Sequence, residues 1–370
     1  MSDDTHFMRL ALALGRRGLG TTWPNPSVGA VVVEPGTGRI LGTAATARGG
    51  RPHGEPVALA AAGDAARGAT LYVTLEPCSH HGRTPPCTDA ILASGIARVV
   101  SALEDPDPRV AGRGHDLLRQ GGVAVETGLM RDAAARDHVG HITRVTRGHP
   151  ALHLKLARTR DGFCAAAGPE RLRITGPVAD GAVHLWRAHA DAILIGIGTA
   201  RADDPSLTVR LPGLDGRSPL RVVLDTHLRL SPASVLARTA RDTPTLVLTT
   251  RSAPAHARRA LEALGVEVAT VPADAAAGGI DLPAALAQLG ERGLTRLCSE
   301  GGPRLAEALA RADLIDTCTL VTGPVELGPA GGLPALGPAL AEALAGDRFR
   351  EAERLTFGPD EAVTYERNRT

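Results

Sequence analysis

Three short segments of this chain carry side chains able to hold a metal ion and move a proton beside it: His53-Gly54-Glu55, Pro77-Cys78 and Pro85-Pro86-Cys87. One imidazole and two thiolates suit zinc, and three protein ligands leave its fourth position open to water. Zinc lowers the pKa of such a water from about 15.7 to about 7, so a nucleophile is available at neutral pH. Glu55, two residues after the histidine, can lie beside that water without being a ligand, take its proton and hand it on. His53, Cys78 and Cys87 are therefore candidate metal ligands and Glu55 the candidate acid–base. Closed zinc modules usually use short cysteine spacings, whereas eight residues separate Cys78 from Cys87. His80 and His81 lie inside that gap and could close the site, touch a substrate or be plain loop.

The second half holds weaker signals. Gly301-Gly302 precedes a helix whose free amide N–H groups suit an anion. Gly196-x-Gly198 could equally be a tight strand exit. Lys155 is the single lysine among 41 basic residues, and a compact ammonium does what a planar guanidinium cannot.

The pattern of apolar residues and turn signals predicts what must position these groups. Asp3-Asp4-Thr5 caps a helix through about Arg17, Val28 to Val33 is a buried strand, and Ile40 to Thr43 turns back on it. His53 opens a helix through about Ala62, and Thr88 to Ser94 forms another just after Cys87, so both ligand clusters sit at helix starts. Helix N-termini favour thiolates and anions. Strands are expected at Thr70 to Leu75, Arg98 to Ala102 and Val123 to Thr127, followed by one helix to about Arg147. Gly148-His149-Pro150 breaks the pattern and marks a domain boundary, giving domains 1–148 and 149–370. Beyond it, strands beginning at Leu152, Ala192, Arg221, Thr245, Val266, Arg296 and Thr317 alternate with helices, and the chain closes in a hairpin. This is a second α/β domain, mostly parallel with antiparallel additions.

Composition narrows the partners. The formal charge is +1 with no basic tail or stripe, and aromatics are 2%, which disfavours a nucleic-acid partner and favours a small molecule. No apolar run approaches a membrane span. The acidic start Met1-Ser2-Asp3-Asp4 and five irregularly spaced cysteines suggest a cytoplasmic enzyme without disulfides. Cys164, Cys298 and Cys318 are expected to be buried apolar residues.

The histidine-x-glutamate plus proline-cysteine arrangement resembles the zinc deaminases, which hydrolyse an amino group from a nucleobase. The eight-residue gap Ser79-His80-His81-Gly82-Arg83-Thr84-Pro85-Pro86 resembles that of the bifunctional riboflavin-biosynthesis deaminase–reductases. Cytidine and transfer-RNA deaminases usually carry a tighter pair of cysteines. Pro24-Asn25-Pro26-Ser27-Val28-Gly29 is similar to the family's first loop, whose asparagine holds the pyrimidine. Glu104-Asp105-Pro106-Asp107-Pro108 with Gly112-Arg113-Gly114 is similar to another of its segments. Arg83 and Thr84 lie where a phosphate-bearing substrate could be gripped, and the family often has lysine at the first of these positions. The middle residue Gly54 departs from the family's usual alanine, but it is neither ligand nor base.

The resemblance continues through Leu154-Lys155-Leu156-Ala157, Asp191 to Thr199, Asp203-Asp204-Pro205-Ser206-Leu207 with Arg210, and Ser299-Glu300-Gly301-Gly302-Pro303. It implies an N-terminal cytidine-deaminase-like α/β/α domain and a C-terminal dihydrofolate-reductase-like α/β domain. It also implies zinc and NADPH as cofactors. By the resemblance, Ala157, Thr199, Asp203 and the helix start Gly302, Pro303, Arg304, Leu305, Ala306, Glu307 and Ala308 line the NADPH site. Arg187, Leu207, Arg210 and Glu300 face the substrate, and Lys155 holds ribose hydroxyls and helps protonate the opened sugar. Arg171 and Arg173 stand where the family often has serine and tryptophan. They are candidates for the substrate and the cofactor phosphate respectively, with plain surface as the alternative.

The implied reaction sequence is deamination of 2,5-diamino-6-ribosylamino-4(3H)-pyrimidinone 5′-phosphate, then reduction of the ribosyl chain to ribityl, in a dimer or tetramer. The alternatives are a deaminase whose second domain has lost reductase activity, and a nucleic-acid-editing deaminase.

Overall fold

Valine-rich Gly29–Val33 is buried along its whole length and forms the strand on which the N-terminal half is built. The structure, a computed structural model, describes residues 3–82, 84–108, 110–167, 172–276 and 278–368. The chain divides into two units: Met1–Pro150 with Gly290–Thr295, and Ala151–Leu289 with Arg296–Thr370.

In the first unit the order is α1 (Asp3–Arg16), β1 (Gly29–Val33), β2 (Ile40–Ala45), α2 (Gly54–Ala62), β3 (Thr70–Val73), α3 (Cys87–Ser94), β4 (Arg98–Ser101), α4 (Arg113–Gln120), β5 (Ala124–Thr127), α5 (Arg131–Asp137) and α6 (Val139–Arg147). The strands lie in the order β2-β1-β3-β4-β5. β1 runs antiparallel to β2 and β3, whereas β3, β4 and β5 are mutually parallel. Met8 of α1, Val31, Leu71, Val99 and Ile91 of α3 share one apolar core. Two glycines let helices press on the sheet: a Cβ on Gly29 would strike the Ala11 carbonyl oxygen, and one on Gly42 that of Ala58. α1 and α2 are thereby held against the sheet, and the starts of α2 and α3 meet at the metal cluster.

The second unit runs β6 (Ala151–Arg158), β7 (Phe163–Ala166), α7 (Pro177–Ala188), β8 (Ala192–Gly196), α8 (Ile197–Asp203), β9 (Leu220–Leu224), α9 (Val235–Arg238), β10 (Thr245–Thr249), α10 (Ala255–Glu262) and β11 (Glu267–Thr270). It continues with α11 (Leu282–Glu291), β12 (Arg296–Ser299), α12 (Pro303–Arg311), β13 (Thr317–Thr322), β14 (Gly332–Pro334), α13 (Pro338–Ala345), β15 (Phe349–Phe357) and β16 (Asp360–Arg367). Its main sheet has the order β11-β10-β9-β8-β12-β6-β13-β16-β15, parallel except for the β13–β16–β15 meander. From β8 the chain winds outward to β11 and then returns to insert β12 on the other side of β8. The carboxyl ends of β8 and β12 therefore flank a topological switch point, where open α/β sheets bind their ligands.

The expected elements form, with differences that have local causes. The single helix expected before Arg147 is two, α5 and α6, divided at His138, whose backbone is non-helical. Helix α4 was not expected, because its opening Arg-Gly-His-Asp carries no apolar stripe. Strand β7, paired with β14, and helices α8, α9 and α13 are likewise additions. Cys298 and Cys318 are buried as expected, whereas Cys164 is half-buried, its thiol turned to the Leu333 carbonyl.

Candidate functional site

His53 stands at the N-cap of α2 and Cys87 opens α3, while Cys78 follows β3 on a short loop. His53 Nδ1 lies 3.3 Å from Cys87 Sγ and 3.7 Å from Cys78 Sγ. All three ligand atoms fall within 4.8 Å of one another. The Cys87 main-chain N–H also donates to Cys78 Sγ at 3.3 Å. A hydrogen bond from Cys87, aided by His53, pulls the Cys78 thiol down to about 4 against the opposing effect of burial. The same bond to Cys78, with burial, raises the Cys87 thiol. A bound soft divalent cation would hold both sulfurs as thiolates.

Two buried atoms at this cluster, His53 Nε2 and Glu55 Oε2, have no hydrogen-bond partner. Glu55 is 3% exposed, and burial together with the nearby Cys78 sulfur holds its carboxyl above the usual range. A buried carboxyl oxygen left open beside an imidazole and two sulfurs needs a polar partner. Two sulfurs and one nitrogen fit zinc with an open position, not a hard oxygen-seeking cation. His80 and His81 are exposed, and His81 Nε2 faces Asp89 Oδ2 at 4.0 Å. Neither belongs to the clustered ligands.

Asn25, in the loop before β1, donates from Nδ2 to the Gly50 carbonyl at 2.8 Å. Gly50 adopts φ +82°, and a Cβ there would meet the Asn25 side chain at 2.8 Å. Thr84 is exposed and accepts a hydrogen bond from Arg51. Arg51 escaped the sequence reading, since nothing in the run Arg48 to Pro52 separates it from ordinary surface; its two-residue distance from His53 was the available signal. Arg83 lies outside the described residues, as does Arg171.

In the second unit, strand alternation puts His153, Lys155 and Ala157 on one half-buried face of β6, with Leu152, Leu154 and Leu156 in the core behind. His153 Nε2 pairs with Thr319 Oγ1 at 2.8 Å, and burial with the nearby Arg296 lowers the imidazole to about 4. It is therefore neutral at physiological pH. Glu300 follows β12 and forms a two-pronged pair with Arg187 of α7: Nε to Oε1 at 2.5 Å and Nη2 to Oε2 at 2.7 Å. Burial pushes the Glu300 carboxyl up, but Arg187, with Lys155 nearby, leaves it below its ordinary value. Arg187 also donates to the Thr208 carbonyl at 3.1 Å.

At the switch point, Gly196 caps α8 and Gly302 caps α12. The Gly302 N–H donates to Thr199 Oγ1 at 3.1 Å, tying the two helix starts together. This pairing of adjacent turns, with no Cβ at either cap, suits the close backbone approach of a dinucleotide phosphate. Asp203 is exposed at the end of α8. Arg210 is exposed and donates to Ser206 Oγ at 2.8 Å.

Several expected contacts point elsewhere. The Leu207 side chain is 2% exposed in the core with Ile197 and Val223, and its backbone has φ +53°, so the side chain is closed to a ligand. Buried Arg221, on β9, donates to the Ser206 carbonyl at 3.2 Å and to Thr239 Oγ1 at 2.9 Å, and so holds that loop. Pro303, Arg304, Leu305 and Ala308 lie on the first two turns of α12, but Ala306 is buried in the core. Glu307 instead caps α13, accepting from the Ala339 and Leu340 N–H groups at 3.1 and 3.2 Å. Arg173 is 72% exposed and paired with Asp180 at 3.1 Å.

With both sites laid out, comparison with known proteins is specific. The family model for the cytidine and deoxycytidylate deaminase zinc-binding region matches residues 1–103, and that for the RibD C-terminal domain matches residues 150–362. The riboflavin biosynthesis protein RibD of Escherichia coli is 40% identical, covering 97% of this chain and 98% of its own length. That of Aquifex aeolicus is 36% identical, covering 98% of each. Among solved structures, Acinetobacter baumannii RibD superposes with a TM-score of 0.86 at 32% identity, covering 99% of both chains. A diaminohydroxyphosphoribosylaminopyrimidine deaminase/5-amino-6-(5-phosphoribosylamino)uracil reductase from Thermotoga maritima gives 0.84 at 33%, again over 99% of both. Among the described residues no helix is long and apolar enough to cross a membrane. The matches run through both units, and the chain belongs to the RibD family of riboflavin-biosynthesis enzymes, in which a zinc deaminase and a reductase share one polypeptide.

Proposed function

We propose that residues 1–148 remove the ring amino group of 2,5-diamino-6-ribosylamino-4(3H)-pyrimidinone 5′-phosphate, and that residues 149–370 then reduce its ribosyl chain to ribityl. The observation that carries the first step is the convergence of His53, Cys78 and Cys87 on one point, beside the open Glu55 Oε2. Those three side chains would hold zinc, which supplies a Lewis acid that activates water near neutral pH. Glu55 Oε2 accepts one proton from the water and delivers it to the ring nitrogen, then carries the proton of the new hydroxyl to the amino group, which departs as ammonia, a role its burial-raised pKa suits. Asn25 orients the pyrimidine, and Thr84, with Arg83, receives the substrate phosphate.

For the second step, NADPH supplies the hydride. The turns at Gly196 and Gly302, joined by Thr199, cradle its phosphates, with Ala157 and Asp203 at the margin. Lys155 Nζ holds the ribose hydroxyls and gives the proton that completes reduction of the opened sugar. Arg187, Glu300 and Arg210 orient the substrate. His153, neutral at physiological pH, cannot take the place of Lys155 as a cation. Within this reading the enzyme works in the cytoplasm, in keeping with its cysteines forming no disulfide, and as a dimer or tetramer, which sedimentation would measure.

The test is stepwise. With zinc and the diaminopyrimidine but no NADPH, the enzyme should release one equivalent of ammonia and stop at the deaminated pyrimidine. Adding NADPH should then oxidise one equivalent of cofactor. Ammonia release that depends on NADPH, or NADPH oxidation by the undeaminated substrate, would reverse or merge the two steps.

A further inference from the structure

The segment Glu104 to Gly114 has no place in the chemistry above, yet it is tied to the metal site by one side chain. Glu76 lies two residues before Cys78, and its side chain is fully buried. Its Oε2 accepts from the Asp105 N–H at 3.1 Å and the Gly112 N–H at 3.0 Å. Its Oε1 accepts from the Gly114 N–H at 2.9 Å and the His115 N–H at 3.3 Å. Gly112 is the N-cap of α4 and has no side chain to cap it, so Glu76 caps that helix from a distance. The Glu76 main-chain N–H is itself fixed to the Leu103 carbonyl at 2.8 Å.

The fit is close from the other side too. A Cβ on Gly114 would run into the Pro77 carbonyl oxygen and come within 3.1 Å of Glu76 Oε1. The far end of the segment is anchored as well: Asp105 Oδ1 accepts from the Asp107 N–H at 2.9 Å and pairs with His141 Nε2 of α6 at 2.8 Å. Glu76, Glu104 and His115 lie close enough to suggest a second metal site. The Glu76 oxygens, however, already accept four main-chain N–H groups, which complement a carboxylate and leave no demand for a cation.

We infer that Glu76 is a positioning residue of the deaminase site: by capping α4 it fixes the Glu76-Pro77-Cys78 segment, and with it the Cys78 sulfur, in the geometry that holds zinc. The inference rests on the zinc site assigned above. It links the α4 amides to the metal through a few bonds, so the coupling must run in both directions. Partners that orient metal ligands typically change metal affinity or activity 10- to 100-fold when lost.

The test follows hydrogen exchange in wild-type enzyme at the Asp105, Gly112, Gly114 and His115 amides, with zinc bound, after chelation, and after zinc is restored. Chelation should speed exchange at these amides at least about tenfold and zinc should reverse it, while the second unit is unaffected. The Glu76→Gln variant replaces an acceptor oxygen by a donor and should release zinc to a chelator about 10- to 100-fold faster. Gly114→Ala, which pushes on the Pro77 carbonyl and crowds Glu76 Oε1 while keeping the carboxylate, should do the same. Normal NADPH binding will show that each variant's second unit is folded. Zinc-insensitive exchange, or wild-type zinc release from a folded Glu76→Gln protein, would reduce Glu76 to a fold clamp and overturn the inference. Wild-type enzyme that bound no zinc would overturn the metal-site reading as well, so the two failures are distinguishable.

Discussion

Replacing Glu300 by glutamine should expose how much the reductase unit depends on its buried ion pair. Both side chains are 11% exposed, and Arg187 makes two bonds to the carboxylate against one to the Thr208 carbonyl. Glutamine keeps one acceptor and turns a donor toward the guanidinium, leaving a nearly buried charge uncompensated. Breaking such a pair from one side costs about 3–5 kcal/mol, and the residual exposure argues for the lower figure, about 3. For a unit of this size each kcal/mol moves the melting temperature by about 2–4 °C, so the loss is about 6–12 °C. Calorimetry should place it in the transition that NADPH raises, since the ligand stabilises only the unit that binds it. Arg187→Met should cost a similar amount, and the double variant clearly less than the sum. The pH dependence has a definite sign. Glu300 has a depressed folded pKa, so its contribution is complete above the ordinary carboxyl value of about 4.3 and is lost as pH falls through the lower folded value. Wild type and Glu300→Gln should therefore converge in stability only at strongly acidic pH. A Glu300→Gln transition within about 1 °C of wild type, or single losses that add within about 0.5 kcal/mol, would refute this account of the pair.

Two further substitutions probe one step each. Lys155→Arg keeps the charge but not the compact ammonium, and loss of one charged hydrogen bond worth about 1.5–3 kcal/mol should cut reductase kcat/KM roughly 10- to 150-fold. Ammonia release should be unchanged, and reduction at the wild-type rate would remove Lys155 from the mechanism. Arg51→Ala frees Thr84 from its staple, and a net hydrogen bond of about 0.5–1.5 kcal/mol predicts a deaminase KM raised about 2- to 10-fold with kcat kept. A fall in kcat at constant KM would show instead that Arg51 acts on the chemistry through its neighbour His53.

Most of the deaminase site was legible because its chemistry is written in residue types at short spacing. His53 and Cys87 open helices as the apolar pattern predicted, and only the fold was needed to bring Cys78 between them. Helix α4 was not legible, because what starts it is not local: its cap is a carboxylate 36 residues before Gly112. Glu307 and α13 repeat that arrangement across 32 residues. Leu207 illustrates another limit. A motif can mark a loop while a side chain within it serves the core, as the buried isobutyl group of Leu207 does here. Arg187 and Glu300 were read as separate substrate contacts, and single-sequence reasoning had no means of seeing that they neutralise each other.

The central claim, two independent active sites acting in succession, is tested most directly by separating them. Glu55→Ala and Lys155→Ala enzymes should be assayed with zinc, NADPH and the diaminopyrimidine phosphate, alone and mixed. Glu55→Ala should release no ammonia yet oxidise NADPH when given the deaminated pyrimidine. Lys155→Ala should release ammonia at the wild-type rate and consume no NADPH. The mixture should carry substrate through both steps. A Glu55→Ala enzyme that failed to reduce the deaminated pyrimidine, or a Lys155→Ala enzyme that failed to release ammonia, would contradict the account.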